Sequence, residues 1–242
     1  MGWHAKPSGG YSLSSTEGRD NMDCIYGAFS SQGYTIQAIA AIIGNFNNES
    51  AMNPWRWQND RVVYGAGYGL PQFTAARDYI NLTGIPYHSP NLSVSEQTSG
   101  ATPEDGEAQC YVIYNDTLSK WQSNIWRDYW STSDYPTEYA YMQQLRNTYG
   151  RYISMDTFRQ ITDLEAATFI FNGGYIGEWS LNIAPRYRDA QTAYDYLSGH
   201  SPPTPPTPPD PPPEPPEPPI PPLPIYPEQE PLPIIFYSRQ PL

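Results

Sequence analysis

A chain of 242 residues is long enough for one well-buried core or two small ones. Its formal charge of −12, from 25 acidic against 13 basic residues, excludes the basic face with which a nucleic-acid binder displaces counterions, and disfavours adhesion to anionic membranes. No run of 18 apolar residues is present to span a bilayer, and the opening "MGWHAKPSGGYSLSS" lacks the apolar centre of a secretory signal. The expectation is a protein made in a cytoplasm that leaves by another route if it acts outside.

In chain order, "SSTEGRDNMDCIYGAFSSQG" places Met22, Ile25, Tyr26 and Phe29 at helical spacing, with Gly33 as a stop. "TIQAIAAIIGNF" predicts a second helix capped by Thr35, with Ile36, Ile39, Ala40 and Ile43 facing inward. Its continuation, "GNFNNESAMNPWRWQ", puts Glu49 just before an Asn-Pro stop, with Trp55 and Trp57 beyond. "DRVVYGAGYGLPQF" breaks the helical period. Val62–Tyr64 and Tyr68–Phe73 around a Gly-rich turn predict a small β-hairpin. "TAARDYINLTG" predicts a short helix ended by Gly84. "TPEDGEAQCYVIYNDTLSKW" opens on Thr102 as cap and Pro103 at the first helical position. "TDLEAATFIF" and "APRYRDAQTAYDYLSG" complete the set, the last stopped by Gly199. The fold class expected is α+β but mainly α, with a minor β-element just after Glu49.

From Ser201 the chain changes character. Twenty of its 28 prolines lie in this last segment, so neither helix nor sheet can form there. Residues 201–224 read as a polyproline II spacer, and the 202–224 stretch spans roughly 70 Å at about 3.1 Å per residue. Residues 225–242 regain apolar character in Ile234, Ile235, Phe236 and Tyr237, which suits an anchor on a partner, or else a solvated tail. The organisation expected is therefore a domain at 1–200, a spacer at 201–224 and an end segment at 225–242.

Cys24 and Cys110 form no CxxC pair, which argues against structural zinc. Two core thiols are the expectation, with one disulfide still open. His4, His88 and His200 are scattered and suggest neither a triad nor a ligand set. No metal or cofactor is expected.

Glu49 carries the candidate chemistry. A carboxylate at a helix C-terminus meets the negative end of the macrodipole, and apolar neighbours disfavour its ionised form further. Such an acid, still protonated near neutral pH, can protonate a glycosidic oxygen. An ordinary solvated helix end is the alternative. Asp60, just before the expected hairpin, is the candidate second carboxylate. Asp78 reads as a solvated helix charge. Trp55 and Trp57 can stack on sugar faces, although alternate residues of an extended segment face opposite ways, which sends one of them to the core.

"ESAMNPWRWQ" running into "GAGYGLPQFT" resembles the lysozyme superfamily, and most closely the phage tail lysozyme family, which includes tail-knob enzymes of phi29-like phages. Goose-type lysozymes and soluble lytic transglycosylases are similar at greater distance. "DGEAQCYVIYND", "KWQ" and "AATFIFNGGYIGEWSLNIAPRYRDAQTAYDYL" resemble the family's central and closing helices, so the likeness covers roughly residues 2–198. It implies a cleft between a helical lobe and a small β-lobe, with Glu49 as the general acid facing it. It implies cleavage of the β-1,4 bond between N-acetylmuramic acid and N-acetylglucosamine in peptidoglycan. Hen-type lysozyme uses a raised-pKa carboxylic acid in the same way. Gln72 and Thr74 match the family's cleft-side glutamine region and can bond N-acetyl groups. Tyr68 lies in the same stretch, and Tyr175 and Trp179 line the far wall. With Asp60 out of place, a single acid would act alone.

The function expected is that of a virion-associated tail lysozyme. Its partners would be peptidoglycan strands and, through the proline-rich end, phage tail proteins. The alternatives are a non-catalytic tail or wall-binding protein on the same fold, and a lysis-phase endolysin. The enzyme class expected is a glycoside hydrolase of the muramidase kind, with lytic transglycosylation still open.

Overall fold

The most apolar stretch of the chain becomes the axis of the fold. The computed structural model describes residues 2–84, 104–124, 135–177 and 182–199. Helix α1 (Thr16–Ser30) leads into α2 (Ile36–Ser50), whose N-terminus is capped as expected by the Thr35 side chain on the Ala38 amide. Residues 38–46 of α2 are all buried. A helix that is apolar on every side is stable only when enclosed, and α1, α7 (Leu164–Phe171) and α8 (Ala184–Gly199) enclose it. α1 buries Met22, Ile25 and Phe29 toward it, and α8 buries Ala190, Ala193 and Leu197.

Four further helices complete the described set: α3 (Ala76–Thr83), α4 (Asp105–Tyr114), α5 (Pro136–Tyr149) and α6 (Met155–Arg159). α4 packs on α1. Gly84 ends α3 with a left-handed φ of 71°, the conformation that favours glycine there. α7 is capped by Asp163 and runs on into a π-helical turn, Asn172–Ile176.

The contact between α2 and α8 is unusually close. A Cβ added to Gly44 would fall 2.5 Å from the Arg186 carbonyl oxygen and 2.6 Å from the Ala190 amide nitrogen. Glycine here lets two backbones approach to a distance that a methyl group forbids, and it fixes where the first turn of α8 lies along α2.

The hairpin expected at 62–73 is not what forms. Among the described residues the β-structure is a single antiparallel bridge, Trp57 to Tyr68, flanked by Gln58 N to Gly67 O (2.9 Å) and Gly69 N to Arg56 O (2.8 Å). The arm preceding the Gly-rich turn is therefore 56–58, not 62–64. The reason lies in where the backbone groups of 62–66 go. The Tyr64 and Ala66 carbonyls accept from the Arg77 and Ala76 amides at the start of α3, so no ladder is left for them. Asn59 and Asp60, with φ of 57° and 51°, turn the chain between the two arms.

The chain pattern gave no sign of α5 and α6. α5 buries only Met142 and Leu145 among several half-exposed tyrosines, so its apolar stripe is faint. Cys24 and Cys110 are both free thiols, Cys110 fully buried. Burial pushes the Cys24 thiol up to about 11. Thr102, Pro103, His88, Trp179, His200 and the proline-rich segment fall outside the described residues. By contacts the chain divides into residues 1–205 and 206–242, and the second unit lies wholly outside them.

Gly44→Ala separates packing from propensity. Helix propensity alone would raise stability by about 1 kcal/mol. The close approach of α8 instead predicts a loss of about 1–3 kcal/mol by overpacking. Urea denaturation reads the sign directly, and an unchanged or higher midpoint contradicts the tight crossing.

Candidate active site

The motif after Glu49 is largely scaffolding. Asn53 is fully buried, and its side-chain amide donates to the carbonyls of Lys6 and Gly9, both at 2.8 Å. Its oxygen accepts from the Lys6 and Trp55 amides. Asn21 of α1 does the same from the other side, donating to Met52 O (2.8 Å) and His4 O (2.9 Å). These two amides tie the N-terminal segment, the end of α2 and α1 into one unit. Ala51 and Met52 turn the chain out of the helix with φ of 48° and 60°. The Asn-Pro of the motif therefore fixes the exit of the chain from α2.

Glu49 sits in the last turn of α2, with 17 % of its side chain accessible. Its Oε1 accepts from Arg186 Nη2 at 2.6 Å. Arg186, in the first turn of α8, is nearly enclosed, and its Nη1 reaches the Asn45 backbone oxygen (3.3 Å) and side-chain oxygen (3.4 Å). One turn further along α8, Asp189 accepts from the amides of Asn47 (2.8 Å) and Asn48 (2.9 Å). α8 thus supplies partners to the polar side chains of the last turn of α2. Helix polarity and apolar neighbours led to the expectation of an acid that keeps its proton. The contact seen here works the other way, because a guanidinium against a carboxylate favours the ionised form. Arg186 lies 137 residues from Glu49 in sequence, and no local pattern could have announced it.

Asp60 is half-exposed, ion-paired with Arg56 at 3.0 Å and accepting from the Gly9 amide at 3.3 Å. Its charge is held within the loop that follows α2. Asp78 is exposed in the first turn of α3, as a solvated charge would be. Gln72 donates to the carbonyls of Arg56 (2.9 Å) and Gly69 (3.0 Å), so its amide clasps the loop around the bridge. Thr74 is exposed. Its hydroxyl donates to Gln72 O, and its carbonyl accepts from Lys120 Nζ at 2.7 Å.

Three aromatic residues expected at the glycan are placed in the core. Tyr68 is fully buried, with its hydroxyl on Asp105. Trp57 is buried and stacked on Tyr64. Tyr175 is buried and lies parallel to Phe171, ring centroids 5.4 Å apart. Tyr68 and Trp57 are paired across the bridge with ring centroids 4.7 Å apart, and Tyr68 reaches α4 through Asp105 and α3 through Tyr79. Trp55, two residues before Trp57, is half-buried, so that the two tryptophans do not share one environment.

The "KWQ" segment joins two parts of the domain. Trp121 donates from Nε1 to Ile153 O, and the Gln122 amide donates to Gly174 O of the π-helical turn. Gly174 leaves room for the Trp121 ring, which a Cβ would approach to 3.0 Å.

A carboxylate that the sequence motifs did not single out anchors the loop lobe. Asp105 opens α4 and is fully buried. It accepts from the hydroxyls of Tyr68 (2.6 Å) and Tyr79 and from the Gln109 amide (3.1 Å). Gln109 also donates to Pro54 O and accepts from the Leu70 amide, both at 2.7 Å. One turn of α4 thereby holds both arms of the bridge and α3. Burial pushes the Asp105 carboxyl up to about 6, against the three donors, which favour its ionised form. The Asp-x-x-x-Gln spacing in "DGEAQC" was the available signal, since it sets two polar side chains on one face of the helix.

A mainly helical domain with a half-enclosed carboxylate at the end of its central helix is a lysozyme-like arrangement. Residues 20–197, more than half of the chain, match the phage tail lysozyme family. The chain belongs to that family. A stretch of 70 residues is 39 % identical to Morphogenesis protein 1 of Bacillus phage B103, covering 28 % of this chain and 19 % of that protein. The matched stretch is thus about a fifth of the relative's length. The protein is phage-associated and lysozyme-like.

The Asp105 cluster gives a signed pH dependence. A carboxyl whose folded value is raised from 3.8 to about 6 contributes stability in full below the unfolded value, and that stability is lost as pH rises through about 6. Tyr79→Phe removes a donor to the ionised form and raises the folded value further. Its cost in urea denaturation should be about 1–3 kcal/mol at pH 8 and distinctly smaller at pH 5. Equal costs at the two pH values contradict a titrating Asp105.

Proposed function

We propose that this protein is a tail lysozyme of a phage virion. It would cleave the β-1,4 bond between N-acetylmuramic acid and N-acetylglucosamine in host peptidoglycan and so open the wall for DNA passage. The observation that carries the reading is Glu49: within the matched family region, it stands at the end of the buried central helix, half-enclosed yet still accessible. Its role is that of general acid. The proton moves from Glu49 to the bridging oxygen as the C1–O bond of the muramic acid residue breaks, and the sugar left behind takes on oxocarbenium character. Water at C1, giving up a proton to the now ionised Glu49, then yields a reducing end and restores the acid. Attack by the sugar's own 6-hydroxyl gives a 1,6-anhydro end instead.

Asp60 is the proposed second carboxylate, stabilising the developing positive charge from the loop that leaves α2. Its contacts with Arg56 and the Gly9 amide hold the side chain in one place for that role. Gln72 and Thr74 are the proposed contacts to N-acetyl groups and Trp55 the proposed stacking residue, Thr74 being exposed and Trp55 half-buried. The Gln72 amide also holds the loop through the Arg56 and Gly69 carbonyls.

Glu49→Gln keeps the shape and an ion-dipole contact with Arg186 but removes the transferable proton. Clearing of peptidoglycan suspensions should fall by roughly 10² to 10⁴, with the unfolding midpoint little changed. Near-wild-type clearing by the folded variant would instead fit a non-catalytic tail protein in which the Arg186–Glu49 pair only ties α8 to α2.

Residues 201–224 serve in this reading as a stiff spacer, and 225–242 as the anchor to other tail proteins. An extended, donor-poor apolar strip such as "PIIFY" suits a groove or a sheet edge on a partner. Truncation after Pro224 should leave clearing in solution intact and remove the protein from purified virions. Normal copy number in virions rules out this segment as the anchor.

A further inference from the structure

The Arg186–Glu49 contact has a geometry that a simple tie between helices does not require. Arg186 Nη2 lies 2.6 Å from Glu49 Oε1. Its Nη1 reaches back to the backbone and side-chain oxygens of Asn45. One guanidinium therefore bridges residues four apart on α2, with Glu49 at one end and a neutral acceptor at the other. The backbone of Arg186 is itself locked, since its carbonyl lies against Gly44 at the closest point of the crossing. The side chain is only 9 % accessible, so water screens its charge poorly. The other charged groups that α8 brings to this turn are Asp189, which accepts from Asn47 and Asn48, and the exposed Arg188. α7 meets α2 a turn earlier, through the Thr168 carbonyl on the Asn45 amide. The cation in direct contact with Glu49 is Arg186, while Asp189 is held by two amides.

We propose that Arg186 is a positioning residue that sets the proton affinity of Glu49, and through it the alkaline limit of activity. The proposal rests on the reading of Glu49 as the general acid. Only the protonated acid can serve the bridging oxygen, so kcat/KM falls as pH rises through the Glu49 titration in the free enzyme. A cation in direct contact lowers that titration point, because it favours the ionised carboxylate. The working range is thereby moved to the acid side, while the fork of the guanidinium fixes the direction in which the acid points. A lysine at this position would keep the charge but lose the second contact to Asn45.

The test uses the full chain and a soluble peptidoglycan oligomer, with kcat/KM followed against pH for wild type, Arg186→Gln and Arg186→Lys. Arg186→Gln should move the alkaline limb up by about one pH unit or more, and Arg186→Lys should leave it near the wild-type position. An Arg186→Gln limb at the wild-type position overturns the proposal. The ¹³C titration of the Glu49 side-chain carboxyl in the wild-type chain is an independent readout that needs neither variant to fold. A midpoint below the ordinary glutamate value of about 4.3 supports the proposal, and a midpoint at or above it overturns it. The two readings fail separately. Retained clearing by Glu49→Gln defeats the acid assignment, whereas an inactive Glu49→Gln beside an unmoved Arg186→Gln limb defeats only the role of Arg186.

Discussion

The close crossing of α2 and α8 at Gly44 is the constraint on which the site depends. Because no side chain separates the two backbones there, the first turn of α8 has one position along α2. That position delivers Arg186 to Glu49 and Asn45, and Asp189 to Asn47 and Asn48. Several polar groups of the last two turns of α2 thereby find partners on α8. A buried charge left without one would cost several kcal/mol, so the crossing and the ion pair stabilise each other. The Glu49–Arg186 pair is built on two packed helices rather than on loops, and packed elements hold a side chain more closely to one position than loops do.

The second part of the scaffold is polar and works by a different means. The loops after α2 have little regular structure, and their backbone groups are satisfied by a few buried side-chain amides. Asn21 and Asn53 knot the N-terminal segment to the exit from α2, and Asp105 with Gln109 binds both sides of the Trp57–Tyr68 bridge. Such networks are stabilising only when every member is paired. The raised carboxyl of Asp105 shows the cost of placing a charge there, and its three donors show how that cost is offset. Loops held in this way can present Asp60, Thr74 and Trp55 at fixed places without a sheet beneath them.

The legible parts of the sequence were those carried by short-range pattern. Thr35, Gly84 and the apolar runs of α1, α2 and α7 act within one or two helical turns, and the structure has them where periodicity and capping put them. The bridge was misplaced by a few residues because Val62–Tyr64 has a strand composition while the carbonyls of this stretch bond to α3, a contact that only the folded chain makes. Tyr68, Trp57 and Tyr175 have the composition of sugar-stacking residues, but composition cannot say which face an aromatic ring takes. Burial against Asp105, Tyr64 and Phe171 decided it. The motif singles out Glu49 but not its electrostatic partner, since Arg186 is one of several arginines in the chain and lies in a helix of mixed polarity. The proton affinity of a site is a tertiary property, and here the contact across helices has the opposite sign to the local helix dipole.

The central claim is that Glu49 is the group that meets the bridging oxygen of a glycan. A crystal structure of the Glu49→Gln protein with a muramic-acid-containing oligosaccharide tests it most directly. The expected result is a glycosidic oxygen within about 3 Å of the side-chain amide at position 49, with the sugar chain in contact with Trp55 and Thr74. A glycan bound with its bridging oxygens out of reach of that amide, or seated on another face of the domain, would contradict it.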